Sequence, residues 1–317
     1  MKKFISLILV TVIFASAGCT KKSEKSLQKV TIALNWVPEP EFGGFYAAKL
    51  NKIYEKYGLD VDLLVGGAGT PTIQMVAAGK VDFGVTSGGE VIVSRAHGAD
   101  VVAVYAVYQK SPLMIMAHQS RGLKSIADVF KSGTLAVERG QAFITYLEKK
   151  YGFSNVKVVP YAGGVSAFLH DPLFSQQGFA TSEPLLAKRQ GSDPEVFLVA
   201  DVGFNPYLET LTTRGELLRS DEKLVKAVVE GTREGWELYL KNPDETNKLM
   251  ASLNKIMDLE TFKEGAKAQM SFVEDDFTRK NKLGLMTESR WKEQAEQLRD
   301  LKVVSTIFPA TEYFRNF

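Results

Sequence analysis

The chain has 317 residues, 45% apolar and 24% charged, with 39 basic residues against 37 acidic ones and a single cysteine. That composition is globular and argues against a disordered chain. The near-balanced charge argues against a nucleic-acid partner, and one cysteine excludes an internal disulfide.

The N-terminus reads Met1-Lys2-Lys3, an apolar run from Phe4 to Phe14, then Ala15-Ser16-Ala17-Gly18-Cys19. The run is too short to cross ~30 Å of hydrocarbon, which takes ~20 residues. Its length and flanks are those of a signal peptide; the competing reading is an uncleaved anchor helix. The segment resembles a bacterial lipoprotein signal, with Ser16 where that pattern usually has leucine. The resemblance implies removal of residues 1–18 and lipid on Cys19. Loss of Lys2 and Lys3 would leave basic and acidic counts equal. Residues 19–29, with Lys21, Lys22, Ser23, Glu24 and Lys25, read as a flexible leash. No second long apolar run follows, so the body is not expected to span a membrane. Roughly 290 residues remain after the leash, more than one hydrophobic core serves, so two lobes are expected.

Val30 to Leu34 alternates with period two and predicts a strand. Phe42, Tyr46, Leu50, Ile53 and Tyr57 recur at helical spacing, and Gly58 ends that helix. Strand patterns follow at 61–65, 81–85 and 101–105, with helices between them. Such β-α repetition predicts a mostly parallel sheet covered by helices. A second series has strands at 113–117, 134–137, 156–159, 177–180 and 196–200, with helices at 141–151 and 183–190. The last third is helical and amphipathic, with Val225, Val228, Val229, Trp236 and Tyr239 on one face. The charged faces of these terminal helices read as a solvated outer surface.

The expected fold class is therefore α/β. One lobe would hold 30–107 and 207–317, the other 112–200, joined by crossings at 108–111 and 201–206. In open parallel sheets, ligands bind beyond the carboxyl ends of the strands. That rule nominates Asn35 and Trp36, Gly67, Thr86 and Ser87 in the first series. In the second it nominates Glu138, Tyr161, Ser182 and Glu183, with Tyr108 and Tyr207 at the crossings. Glu39, Glu41 and Glu90 lie close by in sequence, and Glu41 joins the nominated set.

Aromatic faces with carboxylates suit a neutral or cationic heteroaromatic amine, which stacks and donates hydrogen bonds. A sulfonate or nitrate would want bare helix-start amides and would be repelled. Each residue also has a structural alternative. Trp36 could cap the core edge. Glu41, Glu90 and Glu183 could be first-turn carboxylates that favour a helix dipole. His97, His118 and His170 lack metal-ligand spacing, and no nucleophile-elbow pattern is present, so neither a metal nor a cofactor is expected.

Several blocks carry a family resemblance. They are Leu34-Asn35-Trp36-Val37-Pro38, Glu41-Phe42-Gly43-Gly44-Phe45-Tyr46-Ala47-Ala48, Tyr57-Gly58-Leu59-Asp60-Val61 and Ala78-Gly79-Lys80-Val81-Asp82-Phe83-Gly84. With Gly178 to Pro184, they resemble the NMT1/THI5-like substrate-binding proteins. The resemblance implies a two-lobed periplasmic binding protein fold of type II. It also implies a receptor for an ABC importer, whose ligand would be a thiamine pyrimidine precursor or a related compound; the chain is expected to act as a monomer, held at the membrane by the lipid on Cys19. Riboflavin and sulfonate or nitrate receptors belong to the same wider group. A pyrimidine synthase of the same fold would carry a cysteine-rich segment, and this chain has no cysteine after Cys19.

Overall fold

The computed structural model describes residues 26–317, so the signal segment, Cys19 and most of the leash lie outside the described residues. The strands, in chain order, are β1 (Gln28–Ala33), β2 (Leu59–Leu64), β3 (Phe83–Thr86), β4 (Val101–Tyr108), β5 (Leu113–His118), β6 (Thr134–Val137), β7 (Lys157–Pro160), β8 (Phe174–Phe179), β9 (Pro194–Leu198) and β10 (Leu208–Arg214). They form two five-stranded sheets. The first runs β2-β1-β3-β10-β4 and the second β7-β6-β8-β5-β9. The fold is thus α/β and two-lobed.

Each sheet contains one reversed strand. β10 is antiparallel to both β3 and β4, and β5 is antiparallel to both β8 and β9. The reversal follows from the crossings. β4 ends between the lobes, so β5 must start there and run away from the interface. β10 returns by the same route and also starts there. The space between the lobes therefore receives the carboxyl ends of most strands and the amino ends of two.

The cores explain the sequence pattern. β4 is buried along all eight residues, as its unbroken Val-Ala-Tyr run requires for a strand covered on both faces. The helix Glu222–Lys241 buries Val225, Val228, Val229, Trp236 and Tyr239 against the first sheet and the helix Gly43–Leu50. That close approach depends on Gly43 and Gly44, where a Cβ would overlap the rings of Tyr239 and Trp236. The glycine pair of the opening block is a packing device, not a ligand loop.

One expected helix is two. The pattern from Phe42 to Tyr57 breaks at Asn51–Lys52, where Lys52 adopts a left-handed backbone (φ 56°). Hydrophobic spacing continues across the break because both short helices pack on the same core, and spacing alone cannot register the turn. No helix among the described residues is long and apolar enough to cross a membrane.

Two segments join the lobes, Gln109 to Pro112 and Val199 to Tyr207. Arg290, on the helix Glu288–Asp300, ties them together. Its guanidinium donates to the carbonyls of Asn205 (2.8 Å) and Pro206 (2.8 Å), to Asn205 Oδ1 (3.1 Å) and to the Gln109 carbonyl, and lies 3.9 Å over the Tyr207 ring. Asn205 Oδ1 also accepts from the Ser111 amide at 2.8 Å. Lys110 and Asp201 add an exposed ion pair at 2.8 Å.

Candidate functional site

Four carboxylates converge where the lobes meet. Glu39 and Glu41 stand on the turn after β1, Glu209 near the start of β10, and Glu183 at the start of the helix Glu183–Arg189. Glu41 and Glu209 are buried, while Glu39 and Glu183 keep part of their surface exposed. Ser182 Oγ donates to Glu39 Oε2 across the lobe interface at 3.0 Å. Trp36 Nε1 donates to the other oxygen of Glu39 at 3.2 Å. The Tyr161 hydroxyl donates to Glu183 Oε1, and the Phe179 amide to Oε2, both at 2.7 Å. Asn35 Nδ2 donates to Glu209 Oε1 at 3.4 Å.

The donors are all neutral. Among the described residues, no lysine, arginine or histidine pairs with any of the four. Burial therefore pushes all four carboxyls upward, because the charged form loses water without gaining a counter-ion. Glu39 rises to about 8, through burial first and the Glu183 charge second, against the lowering effect of the Ser182 and Trp36 bonds. Glu209 also rises to about 8, through burial, with Glu90 and Glu39 adding to it and Asn35 opposing. Glu41 is driven well up by burial, then by Glu209, Glu39 and Glu183. Glu183 is raised by burial, with the Tyr161 and Phe179 bonds pulling the other way.

The turn that carries Glu39 and Glu41 is held from behind by the C-terminal region. Asn254 Nδ2 donates to the Pro38 carbonyl and Gln269 Nε2 to the Pro40 carbonyl, each at 2.9 Å. Gln269 Oε1 in turn accepts from the Tyr108 hydroxyl at 3.0 Å. The terminal helices are thus not only a solvated outer face; buried amides from them position the acidic turn.

Of the nominated residues, the structure brings together Asn35, Trp36, Glu41, Tyr161 and Glu183. Tyr108 stands behind them, fully buried, its ring edge-on to Phe179 at 6.2 Å. Thr86 spends its hydroxyl inside the sheet, on Thr210 (3.1 Å) and Thr212 (2.8 Å). Ser87 caps the helix Gly88–Ala96 in a reciprocal box with Glu90. Gly67 lies in the turn after β2, its amide on Thr70 Oγ1 at 2.8 Å. Glu138 is exposed and bonded through its backbone, its amide donating to Gln177 Oε1 at 2.7 Å and its carbonyl accepting from the Gln141 amide at 3.4 Å. Tyr207 is buried beneath Arg290. A surface hollow near His118, Leu169 and Asp193 is on the second lobe and contains none of the four carboxylates.

Glu209 escaped the strand-end rule because that rule looks at carboxyl ends, and β10 enters the interface by its amino end. In the structure Glu209 is the sole acid in the strand sequence Leu208 to Arg214. It also sits at φ 50°, a region uncommon for non-glycine residues, shared here with Lys52 and Lys302.

Comparison with known proteins agrees with this architecture. Over 319 residues the chain is 26% identical to the riboflavin-binding protein RibY of Chloroflexus aurantiacus, covering 95% of this chain and 89% of that protein. It is 26% identical over 275 residues to the formylaminopyrimidine-binding protein of Halalkalibacterium halodurans, covering 81% and 82%. The periplasmic aliphatic sulphonate binding protein SsuA of Escherichia coli shares the fold, with a TM-score of 0.71 at 16% identity over 90% of this chain and 92% of that one. The family model described as NMT1/THI5 like matches residues 39–246, which include three of the four converging carboxylates in their interior and Glu39 at their edge. The chain belongs to the NMT1/THI5-like family.

Proposed function

We propose that this chain is the extracytoplasmic substrate-binding component of an ABC importer, tethered by lipid on Cys19, and that its ligand is a small heteroaromatic amine. A thiamine pyrimidine precursor or a close relative is the favoured ligand. The observation that carries the reading is the meeting of Glu39, Glu41 and Glu209 from one lobe with Glu183 from the other, without a basic partner. Ring N–H and exocyclic amino groups would supply a donor to Glu209 Oε2, which has none, and would add to the neutral donors already on Glu39 and Glu183, at about 1.5–3 kcal/mol for each charge-assisted bond. Trp36 and Tyr161 offer aromatic surface beside them. A sulfonate or nitrate would face four acids, which speaks against the ligand of the sulphonate receptors that share the fold.

Capture would proceed by closure of two lobes, 30–107 with 207–317 against 112–200, about hinges at 108–111 and 201–206. Contacts from both lobes would favour the closed state. Riboflavin is the second reading, favoured by the likeness to RibY across nearly the whole chain. The protein would act as a monomer that delivers its ligand to a permease, without chemical turnover.

A thermal-shift panel of 4-amino-5-hydroxymethyl-2-methylpyrimidine, riboflavin and an alkanesulfonate tests the ligand. A tight ligand at 100 times its Kd adds about 2.7 kcal/mol to stability. Stabilisation by the sulfonate alone would reject the ligand class. Recovery of chemically altered pyrimidine would point instead to an enzyme. Native-host protein with an unmodified Cys19 would remove the tether.

A further inference from the structure

We propose that this site takes its ligand as a cation and releases protons as it does so, so that capture tightens as pH rises. The inference rests on reading the cleft as the ligand site and adds the charge state of the ligand and its coupling to protons.

The geometry supplies more acid than a neutral amine can use. Glu41 lies within electrostatic reach of Glu39, Glu183 and Glu209, and Glu39 within reach of Glu183 and Glu209. Among the described residues, the elements packed around them show no cation paired with or acting on the four acids. The helix Gly88–Ala96 contributes Glu90, another acid. β4 contributes Tyr108, and the loop after β7 contributes Tyr161. The helices behind the acidic turn contribute the amides of Asn254 and Gln269. Arg189, on the same helix as Glu183, points its charge away, into Asp258 (3.1 Å) and Glu264 (3.8 Å).

A second observation points into the cluster. Glu209 is 3% exposed, and its Oε2 has no hydrogen-bond partner; neither has Oδ1 of Asn35, whose Nδ2 donates to the other Glu209 oxygen. A buried polar atom left unpaired is costly and calls for an explanation. An unpaired acceptor on each of two hydrogen-bonded residues is what an incoming N–H or cationic donor would satisfy.

Four such carboxylates cannot all ionise together without a counter-charge. They share protons in the empty state, and the protons belong to the cluster more than to any one residue. An entering cation provides the counter-charge. Each carboxylic acid it ionises loses its O–H proton to solvent, so the exchange balances as one positive charge in and one proton out. A neutral flavin drives no such exchange.

Calorimetric titration of the protein tests this with two cations, 1-methyl-4-aminopyrimidinium and spermidine. Each is measured at pH 6 and pH 8, in two buffers of different ionisation enthalpy so that released protons are counted. At least one cation is expected to bind with proton release, and to bind more tightly at pH 8 by about tenfold per pH unit for each proton released. Binding without proton release, equal affinity at the two pH values, or failure of both cations to bind would overturn the proposal. Tight, pH-independent binding of 4-amino-2-methylpyrimidine, with neither cation bound, would overturn it and leave the heteroaromatic reading intact. Proton-releasing capture of spermidine, with no pyrimidine bound, would support it and remove the heteroaromatic reading.

Discussion

Replacing Arg290 with methionine should destabilise the protein by about 2–4 kcal/mol, because a buried neutral acceptor left without a donor costs about 1–3 kcal/mol. The guanidinium serves four acceptors on the two crossing segments, at Gln109, Asn205 (two atoms) and Pro206. Charge-assisted bonds contribute about 1.5–3 kcal/mol each, and the stacked Tyr207 ring about 2 more when desolvated. The simple sum overshoots, because removing the guanidinium also recovers the cost of burying its charge. Methionine keeps the aliphatic bulk over Tyr207 but leaves the acceptors without a donor. Arg290→Lys should recover only part of the loss, since a single ammonium cannot reproduce the planar fork. Urea unfolding followed by circular dichroism reads the change as a lower midpoint at unchanged slope. A loss below about 1 kcal/mol, typical of surface substitutions, would refute the idea that Arg290 holds the crossings.

Other outcomes test the site and the packing. Glu183→Gln and Trp36→Ala should each weaken ligand binding by roughly tenfold or more, since ~1.4 kcal/mol is a factor of ten. Calorimetry on folded variants that bind like the parent would reject the site. With Glu39 and Glu209 raised to about 8 in the folded state, the folded protein holds more protons than the unfolded chain above the ordinary value of 4.5. Their contribution to ligand-free stability is thus full below about 4.5 and is lost as pH rises towards about 8. The melting temperature should drop across that window, and a flat or rising profile would contradict the burial of these acids. Gly284→Ala should cost several kcal/mol, because φ is 82° there and a Cβ would overlap the Tyr105 ring. A melting temperature within about one degree of the parent would show that Tyr105 can move aside, given that ~1 kcal/mol shifts it by about 2–4 °C in domains of 150–250 residues.

The lobed α/β plan was legible because periodicity reports burial directly. β1, β5 and β6 fall where alternating or unbroken apolar runs predict strands. β10 was not legible. Its Thr210, Thr212 and Thr213 are buried and engaged with Thr86 and the Asp82 carbonyl, so the strand lacks the apolar pattern that would announce it. The site divides in the same way. Residues that directly follow a strand, such as Trp36 and Glu183, could be nominated from chain order. Glu209 depends on the direction in which its strand enters the interface. Asn254 and Gln269 depend on contacts more than 200 residues away in sequence, which no local pattern carries.

The position of β10 between β3 and β4 bears on how the newly made chain acquires its shape. The second sheet is one continuous stretch from Leu113 to Leu198 and contains all its own strands. The first sheet is interrupted. β3 and β4 never pair with each other; they are bridged only by a strand whose first residue is Leu208. Until that residue emerges, two strand edges stay open, and open edges invite pairing with other chains. The lobe that begins the sequence is therefore the lobe that finishes last. Pulse-labelled hydrogen exchange during refolding should protect β5, β6 and β8 before β3 and β4. The reverse order would mean that the first sheet forms without its central strand.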